Sequence, residues 1–211
     1  MYHYVEFEDI RPYHSFMSDK LNRLKQTIRK DHQIAARVDS VGSLYKNLVT
    51  QNNSLPFDLD YNFVIENRLI TQLNPEGLKD YAMDFLDEII AEKYSDFKYC
   101  QDSKAAITIR RVVDGRLDFS ADIAILARNA KGQYCRLLHD KQRQKYDWAP
   151  VPDSETVYER FRKLKQYGYW EEIRGLYLEK KNHYLSIQDK DHPSFIVFVE
   201  TVNQIWDRAS K

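Results

Sequence analysis

Two stretches of the chain alternate between apolar and polar residues, which predicts two half-buried β-strands. In the first stretch the apolar positions are Phe57, Leu59, Tyr61, Phe63 and Ile65. In the second stretch they are Leu117, Phe119, Ala121, Ile123 and Ile125. Each predicted strand therefore has one face that belongs to a core and one face that is polar.

A third β-rich run, residues 105–113, stops at Asp114-Gly115. This dipeptide is typical of a tight turn between antiparallel strands. We therefore expect a hairpin that joins this run to the strand of residues 117–127.

The clearest helical periodicity lies between Asn74 and Tyr94, where apolar residues recur three and four positions apart. Asn74 is a suitable N-cap, and Pro75 suits the first helical position. Residues 15–30 show a similar periodicity and are predicted to form an earlier helix.

After residue 153 the pattern predicts three helices: one that ends near Gly168, one around residues 170–177, and one opened by Pro193. The preceding stretch, residues 128–148, mixes basic and aromatic side chains. Such a mixture can bind single-stranded nucleic acid, but a solvated loop is the simpler interpretation. The chain thus divides into an α/β part and a helical part.

The charge balance argues against a dedicated nucleic-acid binder. The 211 residues carry 32 Lys and Arg against 32 Asp and Glu, a formal net charge of zero. Nucleic-acid binders usually have a basic excess, because neutralising phosphates supplies much of their affinity.

No signal peptide or membrane span is predicted, and Cys100 and Cys135 lack metal-ligand spacing. We therefore expect a cytoplasmic protein.

Three aspartates fall on the polar faces of the two alternating strands. Asp58 and Asp60 lie on one face of the first strand, about 7 Å apart along the backbone. Asp122 lies in the middle of the second strand. A carboxylate on a sheet is costly unless a positive group accompanies it, and two divalent cations would meet that need. Mg²⁺ prefers carboxylate oxygens, so these residues are candidate ligands of two Mg²⁺ or Mn²⁺ ions.

Gly42-Ser43 is the second candidate element of the site. A Gly-Ser turn lets backbone N–H groups and a hydroxyl approach phosphate oxygens closely. Both residues are therefore candidate nucleotide-binding residues.

Together, Gly42-Ser43, Asp58-Leu59-Asp60 and Asp122 resemble the pattern of the polymerase-β nucleotidyltransferase superfamily. The strand around Asp122 is similar to the third-aspartate strand of the oligoadenylate synthetase and cyclic GMP–AMP synthase branch, which has bacterial members. The resemblance implies an α+β nucleotidyltransferase fold, a mixed β-sheet flanked by helices. It also implies a catalytic domain in residues 1–148 and a short helical lobe in residues 149–211 packed on it.

The resemblance further implies the roles of these residues. Asp58 and Asp60 would bind both metal ions, Asp122 would hold the catalytic one and help to deprotonate the acceptor, and Ser43 would contact the triphosphate. The chain would then move a nucleoside monophosphate from a nucleoside triphosphate such as ATP to a hydroxyl acceptor by a two-metal mechanism. A lysine of the helical lobe would help to hold the triphosphate, with four candidates: Lys163, Lys165, Lys180 and Lys181.

Several alternatives stay open on the sequence. The acceptor can be another nucleotide, an RNA end, a small molecule or a protein side chain. The same fold could also serve as a catalytically silent nucleotide-binding module or as a toxin–antitoxin-type interaction module. The preferred base, the oligomeric state and any activating ligand are not encoded in a readable motif.

Overall fold

The computed structural model describes residues 1–53, 55–189 and 191–210. The strands are β1 (Tyr2–Tyr4), β2 (Ala36–Val41), β3 (Thr50–Asn52), β4 (Phe57–Leu69), β5 (Gln101–Asp102), β6 (Ile107–Val113), β7 (Arg116–Arg128), β8 (Tyr134–Asp140) and β9 (Lys145–Pro150). The helices are α1 (Phe7–His32), α2 (Gly42–Lys46), α3 (Pro75–Ile89), α4 (Glu155–Gln166), α5 (Trp170–Ser186) and α6 (Ser194–Ala209), with a short 3-10 helix at Ile70–Gln72.

The main sheet is mixed. Its strands follow the order β2-β4-β7-β6-β5, and β8 pairs with β7 and with β9. Strands β4 and β7 are parallel, whereas the other pairs in this sheet are antiparallel. This is the predicted architecture of a mixed sheet flanked by helices.

The predicted alternation along β4 is confirmed. Its apolar positions from Phe57 to Ile65 are buried, and Asp58 between them is exposed. In β7 the burial of Phe119, Ala121, Ile123 and Ile125 is confirmed as well.

Leu117 was expected in the core and is instead 37% exposed, so that prediction is wrong. The cause is a β-bulge in the β6–β7 hairpin. Val112 pairs with Leu117 but Arg111 pairs with Phe119, which leaves Asp118 as an extra residue in β7. Side chains alternate between the two faces of a strand. One extra residue therefore places the side chains of Leu117 and Phe119 on opposite faces.

The hairpin turn itself is as predicted. Asp114 and Gly115 connect β6 to β7 with φ of 49° and 73°. Two consecutive positive φ angles define the turn that matches the twist of the flanking strands, and Asp-Gly adopts it readily.

Helices α1 and α3 cover the apolar face of the sheet. Asn74 caps α3 as predicted, since its side chain accepts a hydrogen bond from the Gly77 N–H at 3.3 Å. The helix ends at Ile89 rather than near Tyr94. The buried residues of α1 that reach this core include Ile10, Met17, Leu21, Leu24 and Ile28.

Helix α1 begins at Phe7, well before the predicted start near residue 15. Its first turns contribute only Ile10 and Tyr13 to the core, too few for a visible period, and Pro12 interrupts them. Glu8 and Asp9 occupy the first turn, where negative charge is favourable.

The expectation of a solvated loop over residues 128–148 is wrong. Most of this stretch forms the antiparallel hairpin of β8 and β9. Along β8 the side chains of Cys135, Leu137 and His139 are buried in strict alternation. The residues between them, Arg136 and Leu138, do not form a uniformly polar face, and the buried His139 is itself polar, so the period is hard to recognise in the sequence.

The chain forms two compact units. One contains Val5–Val49 and Ser54–Val151, and therefore the main sheet with α1, α2 and α3. The other contains Met1–Tyr4, Thr50–Asn53 and Pro152–Lys211.

In this second unit β1 pairs with β3, and the three predicted C-terminal helices are present as α4, α5 and α6. Their buried side chains are Phe161, Leu164, Ile173, Tyr177, Val197, Phe198, Thr201, Val202 and Ile205. No helix in the described part of the chain is long and apolar enough to cross a membrane.

Candidate active site

The three predicted aspartates lie on one face of two adjacent parallel strands. Asp60 of β4 is the direct register partner of Asp122 of β7, and Asp58 is the partner of Ser120. Neighbouring strands lie about 4.8 Å apart, so Asp60 and Asp122 project side by side. This face is opposite the one that α1 and α3 cover, because the alternating residues of both strands are buried in the core.

Two hydroxyl groups hold the outer carboxylates. The Ser120 hydroxyl donates a hydrogen bond to Asp58. The Thr108 hydroxyl of β6 donates to Asp122 Oδ1 at 2.5 Å. Each donor sits directly across a strand pair from its acceptor, so the sheet register sets both contacts.

Asp60 has a different environment. Burial, followed by the charges of Asp122 and Asp58, raises the pKa of Asp60 to about 6. The positive charges of Lys46 and Arg136 act in the opposite direction but do not compensate. The negative charge of the three carboxylates on this face is therefore not offset by Lys46 and Arg136.

Gly42 lies directly against the side chain of Asp60. Its φ is +62°, and a Cβ atom at this position would lie 2.1 Å from Asp60 Oδ2. A residue with a side chain is therefore excluded on two grounds, the backbone conformation and the collision. Gly42 also opens the short helix α2, which carries Ser43.

Ser43 is half-buried next to Gly42, and its carbonyl accepts from the Leu48 N–H at 2.9 Å. The structure thus places the predicted phosphate-binding pair at the aspartates, through the contact of Gly42 with Asp60.

Lys46 at the end of α2 is a residue of this region that the sequence did not reveal. It is 4% exposed, and its ammonium donates to the Gly42 carbonyl at 2.5 Å. Burial lowers the pKa of Lys46 to about 8, against the raising effect of Asp60. Lys46 lies four residues after Gly42, and this spacing predicts that the two residues are close only if α2 is known to be helical.

Thr108 and Arg136 were also missed. Thr108 is 7% exposed and directly opposite Asp122. Arg136 lies in β8, where no strand was predicted, and its buried Nε has no hydrogen-bond partner among the described residues.

The four candidates for the single predicted phosphate-binding lysine all belong to the helical unit and have partners there. Lys180 pairs with Glu200 at 3.3 Å, and Lys181 donates to Thr50 Oγ1 at 2.7 Å. Lys165 lies 4.3 Å from the Trp170 ring centroid, and Lys163 lies 5.9 Å from that of Trp206.

The aspartates do not stand in a ready-made metal geometry. Among the described residues, no group of three or more His, Cys, Asp or Glu side chains is arranged to hold a metal ion. One oxygen of Asp58 accepts from Ser120 and one oxygen of Asp122 accepts from Thr108. The donor chemistry nevertheless fits hard divalent cations, since three carboxylates gather where one of them, Asp60, is already hard to ionise.

The fold matches that of solved structures with a nucleotidyltransferase fold. The chain is similar to Vibrio cholerae di-nucleotide cyclase DncV in complex with GTP and 5MTHFGLU2. The TM-score is 0.60 and the identity 13%, over 83% of this chain and 49% of that chain. A second similar structure is Vibrio cholerae DncV cyclic AMP-GMP synthase, a prokaryotic cGAS homolog. There the TM-score is 0.54 and the identity 14%, over 71% of this chain and 39% of that one.

The GTP-bound form of Vibrio cholerae DncV gives a TM-score of 0.52 at 13% identity, over 69% of this chain and 37% of that chain. The chain therefore spans less than half the length of these structures. No protein-family model and no curated protein sequence matches it. The likeness confirms the predicted fold.

Proposed function

We propose that this chain is a metal-dependent nucleotidyltransferase that moves a nucleoside monophosphate from a nucleoside triphosphate to a hydroxyl acceptor. The observation that carries the proposal is the register of Asp60 against Asp122, with Asp58 on the same face, in a nucleotidyltransferase fold. An ordinary sheet surface would not place three carboxylates next to a glycine that no other residue can replace.

In this proposal Asp58 and Asp60 bind two divalent ions and Asp122 binds one of them. Two Mg²⁺ or Mn²⁺ ions at these residues would stabilise the negative charge that develops on the attacking and leaving oxygens. The ions would also remove the mutual repulsion that raises the pKa of Asp60.

Asp122, Gly42 and Ser43 have the remaining roles in this proposed reaction. The acceptor hydroxyl oxygen forms a bond to the α-phosphorus, the bond from that phosphorus to its bridging oxygen breaks, and pyrophosphate leaves. Asp122 accepts the proton of the attacking hydroxyl. Gly42 and Ser43 supply backbone N–H groups and a hydroxyl to the triphosphate.

A second nucleotide is the acceptor that we propose. DncV structures include a GTP-bound form and a form described as a cyclic AMP-GMP synthase. The neutral net charge of this chain also favours a small acceptor over a long nucleic acid.

We further propose that residues 1–148 form the catalytic domain and that residues 149–211 form its helical lobe, in a cytoplasmic enzyme.

The test is incubation of the protein with each labelled nucleoside triphosphate and Mg²⁺ or Mn²⁺, followed by separation of the products. We expect a metal-dependent product that the Asp58→Asn/Asp60→Asn variant does not form. The matched control is Asp147→Asn, which removes an exposed carboxylate that pairs with Lys145 and accepts a hydrogen bond from the Trp148 N–H on the surface hairpin. This control should retain full turnover.

The other outcomes discriminate the alternatives. If no product forms but nucleotide plus metal raises the melting temperature, the chain is a silent nucleotide-binding module. If the double variant is as active as the wild type, the three-aspartate site is wrong. If neither product nor thermal shift is seen, the nucleotidyltransferase proposal is abandoned.

A further inference from the structure

A chain of hydrogen bonds runs from Asp122 across the sheet to a buried ion pair. The Thr108 hydroxyl donates to Asp122 Oδ1 at 2.5 Å, and the Ser103 hydroxyl lies 2.8 Å from the same Thr108 oxygen. A threonine hydroxyl has one proton. Since that proton goes to Asp122, the Ser103 hydroxyl must be the donor to Thr108.

The far end of this chain is anchored by charge. The carbonyl of Ser103 accepts a hydrogen bond from Lys79 Nζ at 2.7 Å. Lys79 is 2% exposed and forms an ion pair with Asp102, which also accepts from His139. Asp102 thus joins Lys79 and His139, and these contacts restrict the positions of all three side chains. Ser103 is thereby held in a defined position next to Thr108.

The β-bulge at Asp118 determines which residue faces Asp122. Counting back from the two-residue turn without a bulge would place Ile107 opposite Asp122. The extra residue shifts the register, so Thr108 is the partner of Asp122 and Ile107 is the partner of Ile123. Arg111 secures the bulge, because it pairs with Asp118 at 3.0 Å and also with Asp96. Bulges near active sites commonly re-aim a side chain in this way.

We propose that Thr108 is a positioning residue for Asp122, and that Ser103 orients the Thr108 hydroxyl for this purpose. The inference rests on the function proposed above. The terminal torsion of an aspartate is broad, so an unsupported carboxylate samples many orientations. The Thr108 hydroxyl holds one oxygen of Asp122, which fixes the plane of the carboxylate toward a bound divalent ion. Partners that orient metal ligands typically contribute 10–100-fold to metal affinity.

The test uses three variants of the full chain. Thr108→Val keeps the shape and removes the hydroxyl, Thr108→Ser restores it, and Ser103→Ala removes the second donor. The matched control is Thr201→Val in α6, a fully buried threonine whose hydroxyl bonds the Val197 carbonyl at 2.7 Å. Mn²⁺ binding is measured by electron paramagnetic resonance, with nonhydrolysable ATP and GTP analogues present. Melting temperature and the Mn²⁺ dependence of product formation are recorded in parallel.

For Thr108→Val we expect Mn²⁺ affinity to fall about 10–100-fold, with a similar rise in the Mn²⁺ concentration for half-maximal turnover. Thr108→Ser should lie within about threefold of the wild type, and Ser103→Ala should fall between them. The control should keep wild-type Mn²⁺ affinity even if its melting temperature falls. A melting-temperature loss without a change in Mn²⁺ affinity would therefore assign Thr108 a merely structural role.

The inference is overturned if Thr108→Val binds Mn²⁺ like the wild type, or if Thr108→Ser is as impaired as Thr108→Val. In both cases the wild type still binds Mn²⁺, so the proposed function stands. If Thr108→Val does not fold, the Thr108→Ser and Ser103→Ala pair decides the matter. If the wild type itself binds no Mn²⁺ with either nucleotide, the proposed function fails and this inference falls with it.

Discussion

Asp60 and Asp102 are two partly buried carboxylates in the same unit, and the protein compensates them differently. Burial alone would raise the pKa of Asp102, but hydrogen bonds and charge from Lys79 and His139 outweigh it and hold that pKa below its ordinary value. At Asp60 burial acts together with two further carboxylates, and Lys46 and Arg136 do not compensate. The cations around Asp102 therefore outweigh the effect of burial, whereas those around Asp60 do not. Asp102 is thus a carboxylate stabilised by its own partners in the fold, and Asp60 is one whose charge the fold leaves partly uncompensated.

Removing the compensation at Asp102 should have the largest effect on stability. Lys79→Met leaves a carboxylate partly buried without its ammonium partner, which we expect to destabilise the protein by about 3–5 kcal/mol. Urea denaturation followed by circular dichroism measures this change. Adding Asp102→Asn to Lys79→Met should recover part of the loss, because the uncompensated charge is then gone. If the double variant is no more stable than the single one, the Lys79–Asp102 ion pair does not hold this region.

Gly42→Ala tests the contact that defines the other carboxylate. Alanine would have to adopt a positive φ, and its Cβ would collide with Asp60 Oδ2. We expect a loss of about 1–3 kcal/mol and weaker nucleotide binding. Gly115→Ala is the matched control, since Gly115 has φ of +73° but nothing lies within 4 Å of a Cβ there. Equal effects of the two substitutions on nucleotide binding would show that the contact with Asp60 has no role in it.

Asp60→Asn should stabilise the metal-free protein at neutral pH, and the effect should be the smallest of the three. The folded-state pKa of Asp60, about 6, lies above its ordinary value of 3.8. The folded state therefore binds the Asp60 proton more tightly, and the corresponding stability is present below about pH 4 and is lost as the pH rises through 6. Replacing the ionised group by an amide should recover about 1–2 kcal/mol at pH 8, after allowance for the part of the side chain that water still screens.

The measurement is thermal denaturation of the wild type and Asp60→Asn between pH 4 and pH 8, without divalent ions. The two melting temperatures should converge at pH 4 and separate as the pH rises. A difference that does not depend on pH would mean that the charge of Asp60 is not the cause.

The parts of the fold that the sequence predicted are those where burial imposes a period. The apolar face of β4, the helix capped by Asn74 and the three C-terminal helices each bury one regular stripe of side chains. Strand β8 buries a regular stripe too, but its second face is not uniformly polar and the buried His139 is itself polar, so the stripe is hard to recognise. The first turns of α1 bury too little to be recognised.

The candidate site was predictable only in part for a different reason. Asp58, Asp60 and Asp122 could be found because carboxylates are unusual on half-buried strands. Their proximity depends on the register of the parallel pair β4–β7, which joins distant segments of the chain and is not reported by local sequence. Thr108 was missed because the undisturbed hairpin places Ile107 opposite Asp122, and only Asp118 in its bulged position changes this.

The parallel pairing of β4 with β7 has a consequence for the order of events during folding. Antiparallel strands such as β6 and β7 can form from a local hairpin, within microseconds. Asp60 and Asp122 meet only after the chain has returned through α3 and the β6–β7 hairpin, and such non-local pairing is slow because loop-closure entropy is lost before any contact compensates it. Three mutually repelling carboxylates make the last approach less favourable still. Under the function proposed above, a divalent ion present during refolding should accelerate the step in which β4 docks, so the proposed cation would act on assembly as well as on turnover.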